Sequence, residues 1–127
     1  MYSHVTVGTN DMTRARDFYD AVLGTLGTSR FAGGEKHAGY GKSGGDQFWV
    51  LTPFDGAPTS VGNGTHAAFL APSRAAVDAF HAASLAHGGS DEGAPGLRPH
   101  YHPAYYGSYV RDPDGNKLQA VCHDPEG

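Results

Sequence analysis

Apolar and polar residues alternate from Tyr2 to Gly8, with Val5 and Val7 on one side and His4 and Thr6 on the other, which predicts a strand. Asn10 or Asp11 then offers a helix N-cap. Met12, Ala15, Phe18, Tyr19, Val22 and Leu26 recur at helical spacing until Gly24 and Gly27 interrupt them, so the spacing predicts a helix over about 12–23. Two short strand candidates between Phe31 and Lys42 are broken at Gly33 and Gly34. A turn over 43–46 leads into a strand over 47–52, with Phe48 and Val50 on one face and Gln47, Trp49 and Leu51 on the other. The first part of the chain therefore reads strand, helix, then three strands.

The same pattern is then printed again. Placing THAAFL (Thr65–Leu70) on SHVTVG (Ser3–Gly8) sets His66 on His4 and carries Phe18 onto Phe80, Leu23 onto Leu85 and Gly27 onto Gly89. Further on, Gly115–Ala120 lies on Gly45–Val50. Between the copies, Pro53–Gly64 is rich in turn formers and has no apolar period, so it reads as a linker. In the second copy His66, Ala68 and Leu70 share a strand face opposite Ala67 and Phe69. Ser73 caps a helix reaching about His87, with Val77, Phe80, Ala83 and Leu85 on its apolar side. The stretch Ala94–Pro103 holds the residues that lengthen the second copy. Tyr105–Arg111 and Asn116–His123 then form a hairpin around residues 112–115, with Leu118, Ala120 and Cys122 on one face and Lys117, Gln119, Val121 and His123 on the other.

One unit alone would expose its apolar face, so the expectation is an α+β fold of tandem βαβββ units, with curved, open-barrel-like mixed sheets and helices outside. A single domain over 1–127 then comprises a unit over about 2–52, the linker 53–64 and a unit over about 65–123. A chain of 127 residues with 39% hydrophobic content suits one shared core. Net charge is −4 and no Lys/Arg run occurs, which argues against nucleic acid as a partner. No apolar run is long enough to span a bilayer, and the lone Cys122 gives no disulfide framework, so a cytoplasmic protein without a membrane partner is expected.

The tandem units, the histidine on each first strand and the closing DPDGNKLQAV hairpin resemble the vicinal oxygen chelate superfamily, which includes glyoxalase I, bleomycin-resistance proteins and extradiol dioxygenases. The resemblance covers nearly the whole chain. It implies paired units enclosing a pocket, with metal ligands on the first and last strands of the units, at the positions held here by His4, Trp49, His66 and Gln119. Imidazoles suit Zn, Ni, Mn, Co or Fe, whereas Trp49 cannot coordinate and the Gln119 amide oxygen brings no charge. The implied set is thus His4, His66 and Gln119 around a divalent metal. Neither Trp49 nor Gln119 can serve as the proton-shuttling carboxylate that the resemblance places there, which disfavours authentic glyoxalase I activity.

The segment LRPHYHPAYYGSY gathers donors and rings. It reads as a pocket rim in which Arg98 takes an anionic group and His102, with Tyr106 assisting, exchanges protons. Thr6, Trp49, His100, Tyr101 and Tyr105 complete the expected substrate pocket. Two functions follow. One is a metal-dependent enzyme acting on a small oxygenated or thiol-linked molecule. The other is a metal-free protein that sequesters an aromatic compound in the manner of bleomycin-resistance proteins. A cupped sheet leaves edges that a twofold partner covers, so a homodimer is expected in either case.

Overall fold

A computed structural model describes all 127 residues. The order is β1 (His4–Gly8), α1 (Met12–Gly24), β2 (Arg30–Gly33), β3 (His37–Gly41), β4 (Gln47–Leu51), β5 (Ala67–Leu70), α2 (Arg74–Ala86), β6 (Ser90–Leu97), β7 (Tyr106–Arg111) and β8 (Lys117–Cys122). The strands form two four-stranded sheets, β1-β4-β3-β2 and β5-β8-β7-β6. In each, the first strand runs parallel to the last and the remaining pairs are antiparallel. The fold is the expected α+β pair of open mixed sheets, and the internal repeat is realised in space. Both ends of α2 lie 62 residues after the corresponding ends of α1.

Local chemistry sets the helix limits. Asp11 is extended and accepts from the Arg14 N–H at 3.0 Å, and Ser73 accepts from the Ala76 N–H at the same distance, each satisfying an otherwise orphaned first-turn donor. The helices bury Phe18, Tyr19 and Val22 on α1 and Val77 and Phe80 on α2, each with essentially no exposure. Fully burying such a side chain contributes roughly 1.5–3 kcal/mol. Both helices and the Phe48/Val50 and Leu118/Ala120 faces of the sheets belong to one core cluster. Phe48 of the first sheet meets Phe69 of the second edge-on at 5.0 Å, so the units share that core.

One strand escaped the sequence pattern. β6 occupies Ser90–Leu97, including the first four residues, Ala94–Leu97, of the stretch that lengthens the second copy, and its pairing to β7 is irregular between Asp91 and Gly93 and again between Gly93 and Gly96. Gly93, Pro95 and Gly96 erase the alternation, and an edge strand with bulges is where a proline is tolerated.

A second contact locks the units together from the DPDGN turn. The carboxylate of Asp112, 4% exposed, accepts from the Tyr19 hydroxyl of α1, from the Asn116 and Asp114 backbone N–H groups and from Asn116 Nδ2. Asn116 Nδ2 also donates to the Gly8 carbonyl at the end of β1. Asp114 accepts from the Thr9 hydroxyl, the Asn10 N–H and Arg14. The turn thus satisfies donors from the first unit, and the sheets are held in a fixed relation. No helix is long and apolar enough to cross a membrane.

Candidate functional site

Each sheet packs one face on the shared core and leaves the other open. On the first sheet, register sets His4 beside Gln47, Thr6 beside Trp49, and Trp49 beside Gly39. These residues, with His37 and Phe31, form the open face. The Trp49 ring lies 5.5 Å from Phe31 and 6.1 Å from His37, and its indole N–H donates to Gln47 Oε1 at 3.0 Å. Gly39 is what lets the indole settle there, because a Cβ at that position would stand 2.9 Å from the ring. His4 and Thr6 are exposed.

On the second sheet, Ala68 pairs with Gln119 and Gln119 with Tyr109. Gln119 is 1% exposed and its Nε2 donates to the Tyr105 hydroxyl, while its Oε1 has no hydrogen-bond partner. His66, exposed, stands edge-on to Tyr109 at 6.0 Å between ring centres. Arg98 and Lys117 flank the same ring at 5.8 and 5.2 Å. Burial, then hydrogen bonding with Tyr101 and the nearby Tyr105, pushes the Tyr109 hydroxyl above the ordinary phenol range. Arg98 is itself held by the Gly96 and Ala94 carbonyls at 2.9 and 2.8 Å.

His66 and Gln119 therefore belong to one open face, and His4, Thr6 and Trp49 to the other. His4 and His66 do rim a common cleft of about 800 Å³ between β1 and β5, lined by Val5, Leu23, Phe48 and Phe69. Neither Gln119 nor Trp49 lines that cleft. No group of three His, Cys, Asp or Glu side chains comes together in the chain. The donor set His4, His66 and Gln119 Oε1 fits a divalent ion in kind, since two imidazoles and an amide oxygen are acceptable ligands.

The loop before β7 is a connected aromatic cluster. Tyr101 lies 4.2 Å from His100 and 4.8 Å from Tyr105, and Tyr105 packs edge-on against both His102 and His123. His102 Nδ1 accepts the Ala104 backbone N–H, and its Nε2 lies 2.8 Å from His123 Nδ1. That pattern assigns the His102 proton to Nε2, donated to His123. Both nitrogens of His102 are committed, and the free ring nitrogen of the pair is His123 Nε2. Tyr106 stands apart from the other site residues. It pairs with Cys122 on the core-facing side of the sheet, and its hydroxyl donates to Asp78 of α2 at 2.6 Å, which raises its pKa.

Sequence reasoning passed over Tyr109, Lys117 and His123. The signal was available in the two-residue period, which puts Tyr109 on the face of Tyr105 and puts Lys117 and His123 on the face of Gln119.

Residues 2–120 match the family model described as the Glyoxalase/Bleomycin resistance protein/Dioxygenase superfamily. A glyoxalase/bleomycin resistance protein from Albidiferax ferrireducens T118 is 44% identical, with a TM-score of 0.86 over 96% of this chain and 98% of that one. A glyoxalase-related enzyme from Fulvimarina pelagi is 18% identical, with a TM-score of 0.74 over 96% and 87%. A lactoylglutathione lyase from Agrobacterium tumefaciens is 20% identical, with a TM-score of 0.65 over 96% and 92%; at these lower identities the likeness is one of fold. No functionally curated protein matches the chain.

Proposed function

Because the chain belongs to the glyoxalase/bleomycin resistance/dioxygenase superfamily, we propose that it works as a homodimeric, divalent-metal-dependent enzyme on a small oxygenated or thiol-linked molecule, in a site completed between two copies. The observation that carries this reading is the placement of the ligand residues on two different open faces. His66 and Gln119 share the face of the second sheet, whereas His4 and Trp49 share that of the first. Asp46 also lines the common cleft, but it does not gather with His4 and His66 into a group that could hold an ion, and Gln119 lies outside the cleft, so apposing the first sheet of one copy to the second sheet of another is what would assemble the set. Exposed apolar side chains support such a partner, with Leu70 75% and Phe31 40% exposed.

His4 of one copy, with His66 and Gln119 of the other, would hold the ion. When bound, the ion supplies Lewis acidity to a substrate oxygen. Gln119 is suited to its part because Tyr105 takes its amide nitrogen and leaves the carbonyl oxygen without a protein partner. Trp49, fixed by Gln47 and Gly39, walls the opposite side and excludes water from it. At the rim His123, accepting from His102 at Nδ1, presents its Nε2–H as a hydrogen-bond donor to a substrate oxygen.

All three ligands are neutral, so the ion is held without charge compensation from the protein. Replacing Gln119 with Glu adds a carboxylate at nearly constant volume and is expected to tighten divalent-metal binding at least about tenfold, or roughly 1.4 kcal/mol. Calorimetric titration of parent and variant with Zn, Mn, Ni and Fe(II) checks this. If neither protein binds any of these ions, the metal reading fails.

A further inference from the structure

Charge on the open faces is distributed against the trend of the molecule. The protein carries a net charge of −4. Yet the open face of the second sheet holds two cations, Arg98 and Lys117, that no carboxylate neutralises; the ion pairs of the chain are Arg14–Asp114, Arg30–Asp20, His81–Asp91 and Arg111–Glu92. Arg98 hydrogen-bonds only to neutral carbonyls, and Lys117 has no hydrogen-bond partner. The apposing residues of the first sheet, which are His4, Thr6, Gln47, Trp49, Leu51 and His37, include no acid.

Between the two cations the surface is aromatic. Tyr109 is flanked by both of them, and Tyr105 and Tyr101 continue the ring surface toward the rim. A half-buried lysine over a phenol ring, its cross-strand neighbour Arg111 already balanced by Glu92, creates a positive potential beside a flat π surface. We propose that this face binds a planar aromatic anion, its ring laid against Tyr109 and Tyr105 and its carboxylate or phenolate held by Lys117. Arg98 contributes long-range attraction and fixes Tyr109, while Lys117, unengaged, makes the direct ion pair. This assigns a ligand class to the site proposed above and rests on that reading for its location, but stacking and charge recognition require no metal.

The test uses the full-length protein dialysed against EDTA, titrated by calorimetry with 1-naphthoate, its neutral isostere 1-naphthamide and the non-aromatic anion cyclohexanecarboxylate. Naphthoate is expected to bind at least about tenfold more tightly than either. Lys117→Met, which keeps the aliphatic stem, is expected to erase the preference for naphthoate over naphthamide while retaining the parent's thermal unfolding. Equal binding of naphthoate and naphthamide, equal binding of cyclohexanecarboxylate, absence of naphthoate binding, or a preference that survives Lys117→Met would each overturn the assignment. A parallel Zn titration of the same preparation separates the readings, since metal uptake with no naphthoate preference removes the ligand class and leaves the metal site standing.

Discussion

Replacing Asp112 with Ala removes the acceptor on which the two units converge. Four donors face that carboxylate, and two of them have no alternative partner in a dry environment: the hydroxyl of Tyr19, 0% exposed, and the backbone N–H of Asn116, 8% exposed. Asn116 Nδ2 keeps the Gly8 carbonyl, so it is only half orphaned. Each buried donor left unmade costs about 1–3 kcal/mol, and part of that is offset because a desolvated carboxylate is also removed. The expected loss is about 3–4 kcal/mol. Asp112→Asn retains Oδ1 for the two backbone N–H groups and is expected to cost about 1–2 kcal/mol. Urea denaturation with an unchanged m-value is the assay, and a loss under about 1 kcal/mol for Asp112→Ala would refute the reasoning.

Burial holds the Asp112 carboxyl above its ordinary value of 3.8 despite its hydrogen bonds. Its protonated form is therefore favoured by folding, and the stability this group contributes is full below the unfolded value and falls as pH rises through the folded one. The parent's advantage over Asp112→Asn should then be larger near pH 4 than at pH 7, as measured by denaturation at both; an advantage that grows with pH would contradict the burial argument. Gly39→Ala would push a methyl group to within 2.9 Å of the Trp49 ring. A destabilisation of about 1–3 kcal/mol and a shift in emission are expected, the latter readable because Trp49 is the sole tryptophan.

Much of this architecture is written in the sequence twice, which is why it is readable. The helix limits follow from Asp11 and Ser73 as caps and from glycines beyond the last turns, and the alternation from Gln47 to Leu51 and from Lys117 to Cys122 sorts the faces as observed. β6 was hidden because a bulged edge strand with Pro95 and two glycines has no period to detect. At the site, the period told which face each residue occupies but not what its polar atoms meet. His102 reads as a free acid or base until Ala104 and His123 are seen to take both its nitrogens. Tyr106 reads as part of the tyrosine patch until the register turns it toward Asp78. The His102–His123 and Tyr106–Asp78 contacts join residues 21 and 28 positions apart, and composition carries no trace of them.

The claim that the site is shared between copies is tested most directly by mixing two inactive chains. His4→Ala and His66→Ala variants, each unable to bind Zn as a pure homodimer, are unfolded and refolded together, and the mixed dimer is isolated by differential tags free of histidine. If His4 of one copy meets His66 and Gln119 of the other, the mixed dimer contains one site with both histidines intact and one lacking both. It is then expected to bind about one Zn per dimer, half the parent's stoichiometry, by calorimetry. A mixed dimer that binds no Zn while the parent binds two would place both histidines of a site in the same chain and contradict the account.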